Sequence, residues 1–260
     1  MGKIMIIDIE IIKNIVLEAG KLFEDEDSAH NIKVKGAADF VTAVDYASER
    51  FVTAELRAHF PEAAILSEES TDVSFEPKEY TFVLDPVDGT TNLIHRYRQS
   101  AVSLGLLHNG VPVAGVVYNP FNRELFWAEK GKGAYFNGRK MTVSEETDFS
   151  KSVITIGTMP YYKQYADKNF ELFKRIYLDA VDIRRTGSAA LDLCYTADGR
   201  TEAFFERGLK AWDFCAGAVI LSEAGGKLTD WNGAELNYFK EQNIVASNGV
   251  FHKKMLEYLK

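Results

Sequence analysis

The hydrophobic and polar positions of this chain change period along its length, and the change predicts an order of helices and strands. Apolar residues at helical spacing between residues 9 and 22 follow Asp8 and predict a first amphipathic helix. A second helix is predicted from about residue 44 to residue 59, because Pro61 follows it. Both helices are expected to lie on one side of a sheet.

Between residues 100 and 136 the pattern is typical of strands, with apolar runs separated by tight turns such as Asn109-Gly110. The runs at residues 102–107, 113–118 and 125–128 predict an antiparallel meander.

After about residue 145, predicted strands alternate with predicted helices, which favours an α/β arrangement. The strands are expected at residues 153–156, 183–185, 203–206, 227–230 and 244–246, and the helices at 163–177, 188–198 and 214–223. Periodicity alone therefore predicts a mixed α and β fold. Two lobes, residues 1–145 and 146–260, are expected to pack as one unit because no Pro-, Gly- or Ser-rich linker separates them.

Composition narrows the class of protein without naming it. The chain has 38 Asp and Glu against 30 Lys and Arg, a formal net charge of −8, and no long basic block, which argues against a main task of holding nucleic acid. Cys194 and Cys215 lack the spacing of a disulfide framework or a zinc site and indicate buried thiols in a reducing cytosol. A cytoplasmic protein without membrane contact is expected, since no signal-peptide pattern or membrane-length apolar run occurs.

The densest chemical signal is the string TFVLDPVDGTTN at residues 81–92. A β-type run ends at Asp85, Pro86 restricts the turn, and Asp88 follows directly. A helix is predicted to start at Thr90, where free N–H groups favour an anion such as phosphate. Carboxylates beside such an end suggest a phosphate bridged by Mg²⁺, which prefers hard oxygen ligands. Taken alone, the Asp-Pro and Asp-Gly pairs more often mark an ordinary surface turn.

Two further acidic positions stand at the ends of predicted elements. Asp213 directly precedes an apolar helical stretch that closes at Gly225-Gly226, so it is predicted to be the N-cap of that helix. Glu68 and Glu69 end a β-like run at residues 64–66. Out of context, a helix cap and a solvated turn are the simpler interpretations of these residues.

Three segments, in order and at matching spacing, resemble the signatures of the inositol monophosphatase family. They are LSEES at residues 66–70, DPVDGTTN at 85–92 and WDFCAG at 212–217, and the resemblance extends from Lys35 to the strand-like stretch at 243–248. It implies an α+β fold, a layered α-β-α-β-α sandwich with an antiparallel N-terminal sheet and a smaller C-terminal α/β lobe. The implied activity is a Mg²⁺-dependent, lithium-sensitive phosphomonoesterase.

The same resemblance implies two or three Mg²⁺ ions per site. Glu68, Asp85 and the carbonyl oxygen of Val87 are expected to hold a first ion. Asp85, Asp88 and Asp213 are expected to hold a second, so that Asp85 bridges the two. A third, weaker ion near Glu68 is also expected from the family pattern.

Hydrolysis by direct attack of water, without a covalent phosphoenzyme, is the implied chemistry. Thr90 and Glu68 are expected to orient and deprotonate that water, and Asp45 to hydrogen-bond Thr90. The sequence agrees, because neither cysteine lies in a Cys-x5-Arg pattern and the Asp85-to-Asp88 string is not an Asp-x-Asp-x-Thr nucleophile.

A small phosphate ester is the expected ligand, and the family pattern extends to its contacts. The expected substrate-binding residues are Asp88, Gly89, Thr90, Gly187, Ser188, Ala189, Glu206 and Asp213, with Glu206 and the backbone at 187–189 facing ring hydroxyls. Lys35 matches a family lysine on a mobile loop, and residues 31–36 are expected to be flexible. Arg184 and Arg185 either recognise a second phosphate or form structural ion pairs.

The substrate and the class of function each have an alternative. Inositol monophosphate is the favoured substrate, because Thr91-Asn92 resembles that branch of the family, and fructose 1,6-bisphosphate or a broad range of sugar phosphates is the alternative. Some bacterial relatives bind the transcription machinery, so an interaction protein is the alternative from a different class.

Two structural expectations complete the set. A homodimer is expected from the resemblance, and the apolar meander at residues 102–117 could supply its interface or simply core. Ser67 stands where many family members carry Gly, and it is expected to alter the turn before Glu68 or the neighbouring hydroxyl network.

Overall fold

Seven helices and fourteen strands make up the part of the chain that the computed structural model describes, residues 7–24, 32–36, 39–69, 75–160 and 162–260. The helices are α1 Ile9–Gly20, α2 Ala43–His59, α3 Thr90–Ile94, α4 Ala166–Asp179, α5 Ala189–Ala197, α6 Ala211–Glu223 and α7 His252–Leu259. The strands are β1 Ile32–Gly36, β2 Asp39–Thr42, β3 Ala64–Ser67, β4 Tyr80–Asp88, β5 Ala101–His108, β6 Val111–Asn119, β7 Glu124–Glu129, β8 Gly133–Phe136, β9 Arg139–Met141, β10 Val153–Ile156, β11 Asp182–Arg184, β12 Ala203–Leu209, β13 Lys227–Asp230 and β14 Gln242–Ser247.

The first sheet has seven strands in the order β3-β4-β5-β6-β7-β8-β9. Its pairs are antiparallel except for β3 and β4, which run parallel, so the expectation of an antiparallel sheet fails at this edge. Helices α1 and α2 pack on one face, as the periodicity predicted. They do so because the buried stripe of α1, with Ile12, Val16 and Ala19, meets the apolar side chains of β5 and β6.

The second sheet has five strands in the order β11-β10-β12-β14-β13. Strand β10 runs parallel to both β11 and β12, whereas β14 runs antiparallel to β12 and β13. Helices α5 and α6 contact both sheets, and α4 and α7 contact the second sheet or each other. The layers therefore follow the predicted α-β-α-β-α order.

Helix α6 is buried on nearly every side because it lies between the two sheets, and its sequence is correspondingly apolar all round. Glycines on the first sheet let it approach closely. A Cβ on Gly115 would lie 2.4 Å from the carbonyl oxygen of Ala216, and one on Gly105 would lie 2.5 Å from the Sγ of Cys215. Cys194 on α5 and Cys215 are both buried free thiols, as predicted, and burial raises the pKa of each.

The predicted flexible loop at residues 31–36 is wrong for its larger part. Ile32–Gly36 is a strand that pairs with β2, because Ile32 and Val34 alternate with lysines at a period of two. Asn31 and the side chain of Lys35 lie outside the described residues, so the role expected of Lys35 stays a prediction.

The element boundaries agree elsewhere to within a few residues, and α7 and β9 were not predicted. The last strand of the first sheet ends at Met141 and the second sheet begins at Val153. A division of lobes at residue 145 falls between them and remains a prediction. Among the described residues, no helix has both the length and the hydrophobicity that crossing a bilayer requires.

Candidate metal centre and substrate cleft

A cleft of about 840 Å³ opens where the end of β4 meets α3 and the first turns of α5 and α6. Most of the residues expected at the site line it, namely Glu68, Asp85, Val87, Asp88, Gly89, Thr90, Gly187, Ala189, Glu206 and Asp213. Asp45 and Ser188 are buried behind this wall, and each is hydrogen-bonded to a residue in it.

Three carboxylates converge on one point of the cleft. One oxygen each from Asp85, Asp88 and Asp213 lies within 4.8 Å of the others. Burial raises the pKa of Asp85 well above its ordinary value, and the charges of Glu68, Asp88 and Asp213 raise it further. Burial, Glu68 and Asp88 do the same to the pKa of Asp213. Crowded, buried, hard oxygen donors of one sign fit a divalent cation such as Mg²⁺.

A bulge in β4 brings two of these carboxylates to the same side. Asp85 pairs with Ser103 and Asp88 with Ala101, so β4 carries one residue more than β5 over this stretch. In a regular strand residues three apart face opposite ways, and the extra residue cancels that alternation. The N–H of Val87 donates to Asp85 Oδ1 at 2.9 Å and fixes the bend at Pro86.

The Thr90 hydroxyl has two acceptors within reach, Asp45 Oδ1 at 3.0 Å and the carbonyl oxygen of Val87 at 3.1 Å. Its single proton can serve only one of them at a time. The other oxygen of Asp45 accepts from the N–H and hydroxyl of Thr42 at 2.8 and 2.6 Å, as the capping box of α2. Asp45 is therefore held rigidly, although burial raises its pKa.

Asp88 is bound by the start of α5. Its Oδ2 accepts the hydroxyl of Ser188, the N-cap of that helix, and the N–H of Ala190 at 2.8 Å. Burial raises the pKa of Asp88 to about 6, against the lowering effect of these hydrogen bonds. The Ser188 hydroxyl is thus engaged with Asp88, a contact that sequence reasoning did not foresee.

Asp213 is not the N-cap that the sequence predicted. Helix α6 begins at Ala211, so Asp213 is its third residue, and its Oδ2 accepts the N–H of Lys210 at 2.6 Å. The prediction placed the helix start at the first long apolar stretch, whereas Ala211 and Trp212 already take helical geometry. A carboxylate at this position still satisfies a free amide of the helix end.

Glu68 follows β3, and its N–H donates to the carbonyl oxygen of Leu84 on β4 at 3.2 Å. The buried hydroxyl of Ser67 donates to the carboxylate of Glu49 on α2. The serine therefore does add a hydroxyl contact beneath the Glu68 turn, as its departure from the family pattern suggested.

A buried carboxylate, Glu206, and an exposed cation, Arg185, also line the cleft. Glu206 is 8% exposed and accepts the N–H of Met159 at 3.2 Å. Burial raises the pKa of Glu206, Asp88 and Asp192, and the positive charge of the Arg185 guanidinium partly offsets that rise. Arg184, by contrast, forms an ion pair with Asp182 on the exposed strand β11, the structural alternative for that residue.

Sequence reasoning missed several residues of the cleft wall, among them Tyr97, Met159, Arg207 and Lys210. Lys210 stands three residues before Asp213, and that spacing was the one local signal available. Tyr97, which is 59% exposed, and Met159 lie in irregular loops that no periodicity singles out.

Comparisons with known proteins agree with this geometry. A family model described as the inositol monophosphatase family matches residues 3–260. The chain is similar to the Nus factor SuhB of Escherichia coli, with 41% identity over 85% of this chain and 83% of that protein. It is 37% identical to an inositol-1-monophosphatase of Synechocystis, over 96% and 88% of the two chains. The solved structure of the extragenic suppressor protein suhB from Bartonella henselae superimposes with a TM-score of 0.91 at 36% identity, covering 97% and 98%.

Proposed function

The chain belongs to the inositol monophosphatase family, and on that premise we propose that it is a Mg²⁺-dependent phosphomonoester hydrolase whose preferred substrate is an inositol monophosphate. The observation that carries the proposal is the convergence of Asp85, Asp88 and Asp213 on one point of a cleft that Thr90 also lines. With Glu68, these three carboxylates make four, and their negative charge requires cations before a phosphate dianion can enter.

The donor set fits Mg²⁺, which the family generally requires. Glu68, Asp85 and the Val87 carbonyl oxygen would hold one ion, Asp85, Asp88 and Asp213 a second, and a third would sit near Glu68. When bound, Mg²⁺ would activate the attacking water and offset the charge that develops on phosphate and leaving group. Li⁺ is expected to compete with Mg²⁺ for the second position, to which Asp88 and Asp213 would contribute ligands. Inhibition by Li⁺ should then be uncompetitive in substrate at saturating Mg²⁺.

The chain's own residues would orient the attacking water and accept its proton. Thr90, held by Asp45 at 3.0 Å, would aim the water at phosphorus, and Glu68 would accept its proton. The new bond joins the water oxygen to phosphorus while the bond between phosphorus and the ester oxygen breaks, and the leaving oxygen takes a proton from solvent to become the alcohol. No side chain needs to become phosphorylated.

The leaving group would be recognised by other groups that line the cleft. Glu206 is a buried acceptor suited to ring hydroxyls, and Gly187 and Ala189 line the same cleft. Arg185 carries the alternative, since an exposed guanidinium near the same space could hold the second phosphate of fructose 1,6-bisphosphate.

A panel of esters assayed with Mg²⁺ tests the proposal directly. The expected order of kcat/KM is myo-inositol 1-phosphate above fructose 1,6-bisphosphate and glycerol 2-phosphate. Glu206→Gln should erode the preference for the inositol ester, and Arg185→Ala should not. A better rate on the bisphosphate that collapses in Arg185→Ala would favour the alternative, and no turnover of any ester would contradict hydrolase activity.

We also propose that the protein is a homodimer. The meander at residues 102–117 cannot be the contact, because most of its apolar side chains are buried core. Helix α4 instead exposes Phe170, Tyr177 and Leu178 at helical spacing, followed by Val181, with exposures of 67%, 53%, 71% and 57%. This stripe lies beside the edge strand β11. Leu178→Glu should then give a monomer by light scattering, whereas the exposed change Val250→Glu should not.

A role in transcription is the second candidate, and the name of a relative supports it. The Escherichia coli protein that is 41% identical is called a Nus factor. Because the carboxylates of the metal centre are all retained here, we expect such a role to accompany catalysis. Co-purification with the transcription machinery by a variant that lacks turnover, such as Asp85→Asn, would separate the two activities.

A further inference from the structure

We propose that Gly157 is a positioning residue for substrate selection, because the Glu206 side chain fills the space that a side chain at residue 157 would need. The inference rests on the proposed function, in which Glu206 accepts hydrogen bonds from the hydroxyls of a polyol leaving group. It assigns the accuracy of that contact to a backbone position on a neighbouring strand.

The strand register explains why this position must be glycine. Ile156, the last residue of β10, pairs with Phe205 of β12, and the N–H of Gly157 donates to the Phe205 carbonyl oxygen at 2.9 Å. The next residues, Gly157 and Glu206, therefore lie side by side. A Cβ on Gly157 would stand 2.0 Å from the Cδ of Glu206, 2.2 Å from its Cγ and 2.3 Å from its Cβ. Atoms cannot approach so closely, so any side chain here must displace Glu206.

The turn that follows Gly157 also orients the carboxylate. Met159 has a φ of 48°, uncommon for a non-glycine residue, and its N–H donates to Glu206 Oε1 at 3.2 Å. Thr158 contributes a backbone hydrogen bond to the same carboxylate, and its Oγ1 accepts the Nε of Arg185 at 3.1 Å. The turn at residues 157–159 thus holds the Glu206 carboxylate and the Arg185 guanidinium together.

A carboxylate held by a fixed wall and two backbone amides has little freedom to follow a ligand. It therefore favours a leaving group whose hydroxyls already stand at the right place, as on a rigid ring, over a small flexible alcohol. The phosphate end of the cleft is formed by other elements, β4 and the first turns of α3 and α6. Displacing Glu206 should consequently change selectivity and leave hydrolysis itself intact.

A double-mutant cycle between Gly157→Ala and Glu206→Gly tests this coupling. Gly157→Ala should lower kcat/KM for myo-inositol 1-phosphate by roughly tenfold, mainly through KM, and change that for glycerol 2-phosphate by less than about twofold. In the Glu206→Gly background the carboxylate, Cγ and Cβ that a new Cβ on residue 157 would meet are all absent. Adding Gly157→Ala there should change the kcat/KM of neither ester further.

The outcomes separate this inference from the function on which it rests. If Glu206→Gly keeps the preference for the inositol ester, the role proposed for Glu206 fails. If Glu206→Gly erodes that preference but Gly157→Ala does not, the positioning role of Gly157 is overturned. An equal loss on both esters, or a loss that persists in the double variant, would show a merely structural glycine.

Thermal unfolding guards against a variant that does not fold. Should Gly157→Ala alone fail to fold while the double variant folds and behaves as Glu206→Gly does, the new Cβ clashes with Glu206 and the inference stands. A double variant that also fails to fold would mean that the space beside Gly157 serves something else, and would overturn it.

Discussion

At the scale of single residues, Asp85 is the carboxylate that we propose bridges the two ions. Burial raises its pKa, and the charges of Glu68, Asp88, Asp213 and Asp45 raise it further. A bridging ligand and a terminal ligand should differ in what their loss removes. That difference gives the first prediction.

Asp85→Asn should abolish turnover, because both ions depend on the bridging carboxylate. Asp213→Asn should leave one tight Mg²⁺ site by calorimetry while kcat falls on the order of 10³-fold, about 4 kcal/mol of transition-state stabilisation. Asp167→Asn, an exposed change in the first turn of α4, is the matched control. Full activity in either site variant would remove these residues from the metal centre.

Thr90 gives the second prediction, since its hydroxyl is expected to orient water and not to be phosphorylated. Thr90→Ala should lower kcat about 100-fold with little change in KM, the result expected when an interaction of the transition state is lost. Thr90→Ser keeps the hydroxyl that reaches Asp45 and should recover most of the rate. Trapping of a phosphoenzyme, or absence of ¹⁸O transfer from solvent to phosphate, would contradict direct attack.

Most of the residues that the sequence predicts for the site line one cleft, whereas the contacts between them could not be predicted. Asp85, Asp88 and Thr90 stand within one short string, so local pattern and resemblance find them. The contact between Ser188 and Asp88 joins residues 100 positions apart, and no local rule links a helix cap to a distant strand end. The clash that a side chain at residue 157 would make with Glu206 depends on the strand register, which local sequence does not determine either.

At the scale of elements, the strongest periodic signals gave the most accurate predictions. Helix α2 and strand β10 appear almost where the pattern put them, because their apolar faces meet a single layer. Helix α6, buried on nearly every side, has no polar face to mark its first turn, and its start was predicted three residues late. The hairpin of β1 and β2 was missed because residues 31–36 were expected to form a flexible loop.

The close packing of α6 on the first sheet makes the third prediction. Gly115→Ala should lower the free energy of unfolding by about 1–3 kcal/mol, because the new Cβ meets backbone atoms of Ala216 that cannot turn aside. Urea denaturation measures the change, and Val111→Ala, at a 48% exposed position of the same strand, is the control. An unchanged midpoint for Gly115→Ala would mean that the helix can shift freely on the sheet.

At the scale of the whole molecule, the site is assembled from distant parts of the chain. Asp85 and Asp88 come from the first sheet, whereas Asp213 and the Asp88 contact of Ser188 come from helices between the two sheets. Cations bound by this cluster would therefore tie the layers together. Stability of the fold and occupancy of the site should be coupled.

The pH dependence of that coupling is the fourth prediction. Asp85, Asp88 and Asp213 have raised pKa values in the folded protein, that of Asp88 being about 6. These carboxyls bind protons more tightly folded than unfolded, so their contribution to metal-free stability is complete below about pH 4 and is lost as the pH rises through the folded values. For Asp88 alone the loss is on the order of 3 kcal/mol.

Mg²⁺ binds the deprotonated carboxylates, so the rise in Tm that it causes should be small at pH 5 and large at pH 8. When Tm is measured at each pH both with Mg²⁺ and with EDTA, the effects of titrating groups far from the centre cancel in the difference. Asp88→Asn removes one titrating ligand and should flatten the dependence, whereas the exposed Asp167→Asn should not. An equal Mg²⁺ effect at both pH values would mean that the ions bind away from these carboxylates, because only groups that exchange protons for metal can make the stabilisation depend on pH.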